Sequence, residues 1–119
     1  MSTARLVSLD RQVALSRVGG DTELLREIAA IFVGDYPNAL SELRTALEHN
    51  DAQKVERAAH GLKGSVANFG AQAAVDAAFH LEKMGYAGDL SQAAATLSAL
   101  DEALIHLRGE LDSLCAELS

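Results

Sequence analysis

From residue 97 to the C-terminus, leucine recurs in steps of three and four: Leu97, Leu100, Leu104, Leu107, Leu111, Leu114 and Leu118. That spacing puts every leucine on one narrow stripe of an α-helix sustained for about three heptads. A stripe of this kind cannot stay in water and must be covered by other helices. Taken alone it suits a dimeric coiled coil. Upstream, however, lie other amphipathic segments joined by short connections, and an antiparallel bundle within one chain satisfies all the stripes together. Composition agrees with an all-α chain. There is one proline, aromatic residues are 4% of the total, and no segment alternates with the period of two that a strand requires. The 119 residues, 49% of them apolar, suffice for one domain around one core.

Five helical segments are predicted, over about residues 10–18, 21–49, 51–69, 71–84 and 90–117. Asp10, Asp21 and Asp51 are N-cap candidates, and Asp89 is read as the cap of the last helix. Gly19-Gly20, Asn50 and Gly70 are stop signals, and Gly85 and Gly88 are read as bracketing a loop. In the first segment Leu9, Val13 and Val18 are the apolar positions. In the second, Leu24, Ile28, Ile31, Phe32, Leu40, Leu43 and Leu47 fall at helical spacing, with a kink or short break expected near Pro37. No linker, repeat or low-complexity tract divides the chain.

Formal net charge is −7. That sign argues against non-specific binding to nucleic acid or to anionic membrane. Cys115 is the only cysteine, so no internal disulfide can form, and a reducing, cytoplasmic compartment is expected. Met1 to Ser8 contain no apolar stretch like that of a signal peptide, and no apolar run approaches the roughly 20 residues that span a bilayer. A chain opening on Met1 without an evident linker reads as a stand-alone protein.

The chemistry is concentrated between Ala58 and Ala71. On a helical wheel Val55, Ala59, Leu62, Val66 and Phe69 share one face, which is the core seam. His60 lies nearly opposite. Gly64 and Ala67 fall within about 40° of it, and Lys63 about 60° away. Two glycines, Gly61 and Gly64, stand inside this helix, each costing about 1 kcal/mol relative to alanine. Stability alone does not account for them; room for a partner beside the imidazole does. A neutral imidazole has one free lone pair and can attack a phosphoryl group. An ammonium one turn along can sit against the transferring oxygens. Lys54, Arg57 and Lys63 against Asp51 and Glu56 make this stretch locally positive on an acidic chain, which suits a partner presenting carboxylates and a phosphoryl group.

The run His60-Gly61-Leu62-Lys63-Gly64-Ser65-x-Ala67-Asn68-x-Gly70-Ala71 resembles the signature of histidine-containing phosphotransfer (HPt) domains. The likeness extends along almost the whole chain. It implies an all-α fold, an antiparallel up-down four-helix bundle with a short accessory N-terminal helix. It implies that His60 accepts a phosphoryl group from a receiver-domain aspartate and passes it to another receiver. By the same resemblance Lys63 stabilises the phosphoryl group, Gly64 gives clearance, and Glu82, on the next helix, orients the imidazole; relatives commonly carry glutamine there. The implied partners are receiver domains of response regulators and hybrid sensor histidine kinases. The family's Mg2+ sits in the receiver, with no cofactor in this chain. No Gly-rich phosphate loop is present, so the chain is read as a carrier that relies on its partner for catalysis rather than as an enzyme. A monomer is expected, since the seams can be satisfied internally.

Two rival functions fit the same residues. One is a non-catalytic helical adaptor that docks a receiver or kinase, which the intact His60-x-x-Lys63-Gly64 disfavours. The other is the phosphotransfer module of a chemotaxis-type kinase, which ordinarily belongs to a much longer chain. Ser65, Asn68 and Gly70 are read as structural. His49 complements a helix C-terminus, and His80 and His106 are surface or interhelical polar residues. Glu56-x-x-x-His60 and Glu102-x-x-x-His106 lack the Glu-x-x-His spacing of a di-metal bundle, so no metal site is expected. Cys115 is read as an inert thiol.

Overall fold

The computed structural model describes residues 7–118. Residues 1–6, which include most of the N-terminal segment read above, lie outside the described residues. Five helices follow in order: α1 (Arg11–Arg17), α2 (Thr22–Glu48), α3 (Ala52–Ala67), α4 (Gln72–Ala87) and α5 (Ala93–Leu118). No strand occurs among the described residues.

Local chemistry sets the boundaries. Asp10 accepts from the amides of Gln12 and Val13, Asp21 from Leu24, and Asp51 from Lys54. Each bond satisfies an N–H that the first helical turn leaves unpaired. After α2 the chain turns on Asn50, which takes a left-handed φ of 51°. Connections of three to five residues then force consecutive helices to run back along each other. Helix α2 packs on α3 and α5, α3 on α4, and α4 on α5, closing a four-membered ring. The two outer members, α2 and α5, are 27 and 26 residues long, while α3 and α4 are 16 each. α1 packs on α2, and its Arg11 makes a two-pronged ion pair with Glu117 of α5. The N-terminal strap is tied to the α3–α4 connection by bonds from the Asp10 amide to the Phe69 carbonyl and from the Ala73 amide to the Val7 carbonyl.

The leucine stripe of α5 is core. Leu97, Leu100, Leu104, Leu107, Leu111 and Leu114 are all buried, as are Val55, Ala59, Leu62, Val66 and Phe69 of the His-bearing segment. No polar or charged side chain is buried among the described residues. At about 25 cal/mol per Å2 of apolar surface, such leucines are the main favourable contribution to the fold.

Four expectations are corrected. The inward face of α2 is Leu25, Ala29, Phe32, Tyr36, Leu40, Leu43 and Ala46, while Leu24 and Ile31 are 39% and 63% exposed. Phe32 decides the register, since its ring packs 5.3 Å from those of Tyr36 and Phe69. α2 also runs continuously through Pro37, so the short break admitted there does not occur. Gly85 does not bracket a loop; it is buried inside α4, which continues to Ala87 and ends on Gly88 with φ 73°. A Cβ on Gly85 would lie 2.6 Å from the Glu56 nitrogen and 2.7 Å from the Ala52 oxygen, so α3 and α4 touch backbone to backbone here. Finally, Asp89 accepts from the amide and hydroxyl of Ser91 in a turn, and α5 starts only at Ala93.

Candidate functional site

The close approach at Gly85 sets what faces His60. Going backwards along α4 from Gly85, Glu82 comes one turn later and Phe79 one turn after that. Going forwards along α3 from Glu56, the partners are His60 and then Lys63. The two helices therefore present His60 and Lys63 to Glu82, and Lys63 to Phe79.

Glu82 bridges both α3 residues. Its Oε2 lies 2.7 Å from His60 Nδ1, and its Oε1 accepts from Lys63 Nζ at 2.5 Å. The hydrogen bond from Lys63, above all, holds the Glu82 carboxyl below its ordinary range; partial burial opposes this, and the His60 bond adds to it. Glu82 is thus an ionised acceptor. An ionised carboxylate can only accept, so the Nδ1 that faces it carries the ring proton. In the neutral ring the lone pair is then on Nε2. The His60 side chain is 68% exposed, whereas that of Glu82 is only 18% exposed. The arrangement leaves one nucleophilic nitrogen facing outward and a fixed cation–carboxylate pair beneath it.

Around the ring the surface is open. A Cβ built on Gly61 or on Gly64 would meet nothing within 4 Å. Ser65 spends its hydroxyl on the Gly61 carbonyl at 3.2 Å, a back-bond to the preceding turn. On the α2 side a shallow groove begins, lined by Ile28, Ile31, Tyr36, Arg57, Gly61 and Ser65 among others. The exposed Ile31 and Leu24 lie on this flank of α2.

The remaining singled-out residues are elsewhere. Asn68 caps α3, and Gly70, with φ 58°, lies against Asp10 and Val13. His49 caps the C-terminus of α2, and His80 and His106 are exposed. No group of three or more His, Cys, Asp or Glu that could hold a metal occurs among the described residues. Cys115 is half-buried in a groove between α2 and α5, and burial pushes its thiol up. Three features escaped sequence reasoning: the bond from Lys63 to Glu82, the close packing at Gly85, and Phe79, whose ring lies under two ammonium groups. An exposed phenylalanine one turn from Glu82 was the available signal for the last.

Comparison with protein families matches residues 27–117 to the Hpt domain. The chain belongs to the Hpt domain family. Among solved structures it is similar to histidine-containing phosphotransfer protein B (HptB) from Pseudomonas aeruginosa PAO1, with a TM-score of 0.87, 25% identity, and 97% of this chain and 98% of that chain covered. It is also similar in fold to the HPT domain from a sensor hybrid histidine kinase of Shewanella, with a TM-score of 0.82, 17% identity, and 97% and 99% coverage. No curated protein sequence matches it. This Hpt domain serves histidine phosphotransfer in a phosphorelay, and Hpt domains work there with receiver domains. No helix among its described residues is long and apolar enough to cross a membrane.

Proposed function

We propose that His60 is the phosphorylated residue and that Nε2 is the atom that takes the group. The carrying observation is the bond between His60 Nδ1 and the ionised Glu82 on an otherwise open face. The Nε2 lone pair attacks the phosphorus of a receiver aspartyl phosphate. The new N–P bond forms as the P–O bond breaks, and the aspartate leaves as carboxylate. The ring keeps its proton on Nδ1 and becomes cationic, and Glu82 stabilises that charge. Return transfer to a second receiver reverses these steps.

Lys63 lies one helical turn along, where its ammonium can meet the phosphoryl oxygens that carry the transition-state charge. Gly64 keeps the approach clear. The divalent cation Mg2+ belongs to the receiver partner, so this chain is a carrier that depends on its partner for catalysis rather than an enzyme with an ATP site. The partners are receivers of response regulators or of hybrid sensor histidine kinases. They cover the small-residue surface around His60 and the apolar flank of α2, and the carrier acts in the cytoplasm as a monomer.

Incubation with a phosphorylated receiver domain tests this. Wild-type protein should gain acid-labile, base-stable phosphate, and His60→Gln should gain none. A wild-type protein that binds the receiver without taking label would leave the adaptor function instead.

A further inference from the structure

Phe79 is 43% exposed on α4, an unusual position for a phenylalanine in a helix whose inward residues are mostly alanine. Two ammonium groups lie over its ring: Lys63 Nζ at 4.9 Å from the centroid and Lys83 Nζ at 4.8 Å. Lys63 is thus held from two directions, by Glu82 Oε1 and by the ring.

These two restraints differ in kind. A lysine side chain loses much rotamer freedom when fixed, so an unrestrained Lys63 would spend most of its time away from the phosphoryl position. Glu82 supplies an anchor, but its negative charge offsets the ammonium that should greet a phosphoryl dianion. An aromatic face attracts a cation through its quadrupole and carries no net charge. The ring therefore localises Lys63 without reducing its attraction for the incoming oxygens. It also lies beside Lys83, four residues on along α4, so a second cation is gathered on the same flank.

The geometry points to Phe79 as a positioning residue for phosphoryl transfer, acting through Lys63 by a cation–π contact. This rests on His60 and Lys63 acting as proposed above. The contact should speed transfer at saturating receiver and leave docking nearly unchanged.

The test is a double-mutant cycle on the intact chain, with rates of transfer from a phosphorylated receiver measured across receiver concentrations. Phe79→Leu keeps bulk and removes the π face; Phe79→Tyr keeps the face. Phe79→Leu should slow transfer at saturation by about 2- to 5-fold, equivalent to about 0.5–1 kcal/mol, with an unchanged half-saturation concentration. Phe79→Tyr should restore the wild-type rate. In a Lys63→Ala background Phe79→Leu should have no further effect. By NMR, the Lys63 ε-methylene protons should be shifted upfield by the ring in wild type and in Phe79→Tyr, and lose that shift in Phe79→Leu. The inference is overturned by an unaltered rate in Phe79→Leu, by the same loss with and without Lys63, by a change in half-saturation alone, or by an unaltered methylene shift. If wild-type protein gains no label on His60, the acceptor assignment itself falls, and this role with it. Labelling of His60 that is indifferent to Phe79→Leu rejects only the role of Phe79.

Discussion

Replacing Glu82 with glutamine tests the carboxylate bridge in the most discriminating way, because shape is kept and charge is lost. Wild-type Glu82 accepts two bonds, one from His60 Nδ1 at 2.7 Å and one from Lys63 Nζ at 2.5 Å. A glutamine has one carbonyl oxygen to accept with and an NH2 that can only donate. The two donors face different carboxylate oxygens, so with the side chain in the same place one of them meets that NH2 instead of an acceptor. Hydrogen bonds to charged groups are worth about 1.5–3 kcal/mol, and the lower end applies where water can reach in. A loss near 1.4 kcal/mol in the transfer step corresponds to about tenfold in rate. Transfer from a phosphorylated receiver, followed at saturating receiver, should fall by about that factor. The pair also stabilises the fold. Both side chains are partly solvated, so Glu82→Gln should cost no more than about 1 kcal/mol in urea unfolding at neutral pH. The sign of its pH dependence follows from the depressed carboxyl. A group whose folded pKa lies below its ordinary 4.5 contributes fully above that value and loses its contribution as pH falls through the lowered one. The stability gap between wild type and Glu82→Gln should thus close in acid. A transfer rate equal to wild type, or a gap that widens as pH falls, refutes the bridge.

Other substitutions separate docking, clearance and packing. Lys63→Ala should slow transfer at saturation more than it raises the half-saturation concentration, as the proposed action of the ammonium on transition-state charge requires; equal changes would make it a docking residue. Gly64→Ala should raise stability by about 0.5–1 kcal/mol, since its Cβ meets nothing within 4 Å, yet impair transfer by crowding the partner. Gly85→Ala should do the opposite, costing roughly 3 kcal/mol or more in urea unfolding, because its Cβ would overlap the backbone of Ala52 and Glu56. Ile31→Ser should weaken receiver binding in titration calorimetry while leaving unfolding within about 0.5 kcal/mol of wild type, as expected of an exposed position.

Much of the architecture is legible in residue order, and the failures share a cause. The α5 seam and the face of α3 are readable because leucine or valine recurs there without competition from the opposite face. α2 carries apolar residues on two flanks, so periodicity alone admits Leu24 or Leu25, and Ile31 or Phe32. Tertiary packing of Phe32 on Phe69 chooses between them, and the rejected Leu24 and Ile31 are left facing solvent, Ile31 in the groove that reaches Gly61. Gly85 resembles a helix stop because its local cost is visible and its benefit, contact with a helix some 30 residues earlier, is not. The site follows the same division. His60, Lys63 and Gly64 lie within five residues and declare themselves by spacing. Glu82 entered by resemblance to a family, and its second bond, to Lys63, needed the register of two helices. Phe79 needed that register as well.

One nitrogen of one histidine is proposed to carry the phosphoryl group. Protein phosphorylated by a receiver can be examined by phosphorus–nitrogen correlated NMR, with the modified residue mapped by fragmentation mass spectrometry. A single phosphohistidine is expected, at residue 60 and joined through Nε2, with Nδ1 still protonated toward Glu82. Phosphate joined through Nδ1, or found on His49, His80 or His106, would contradict it.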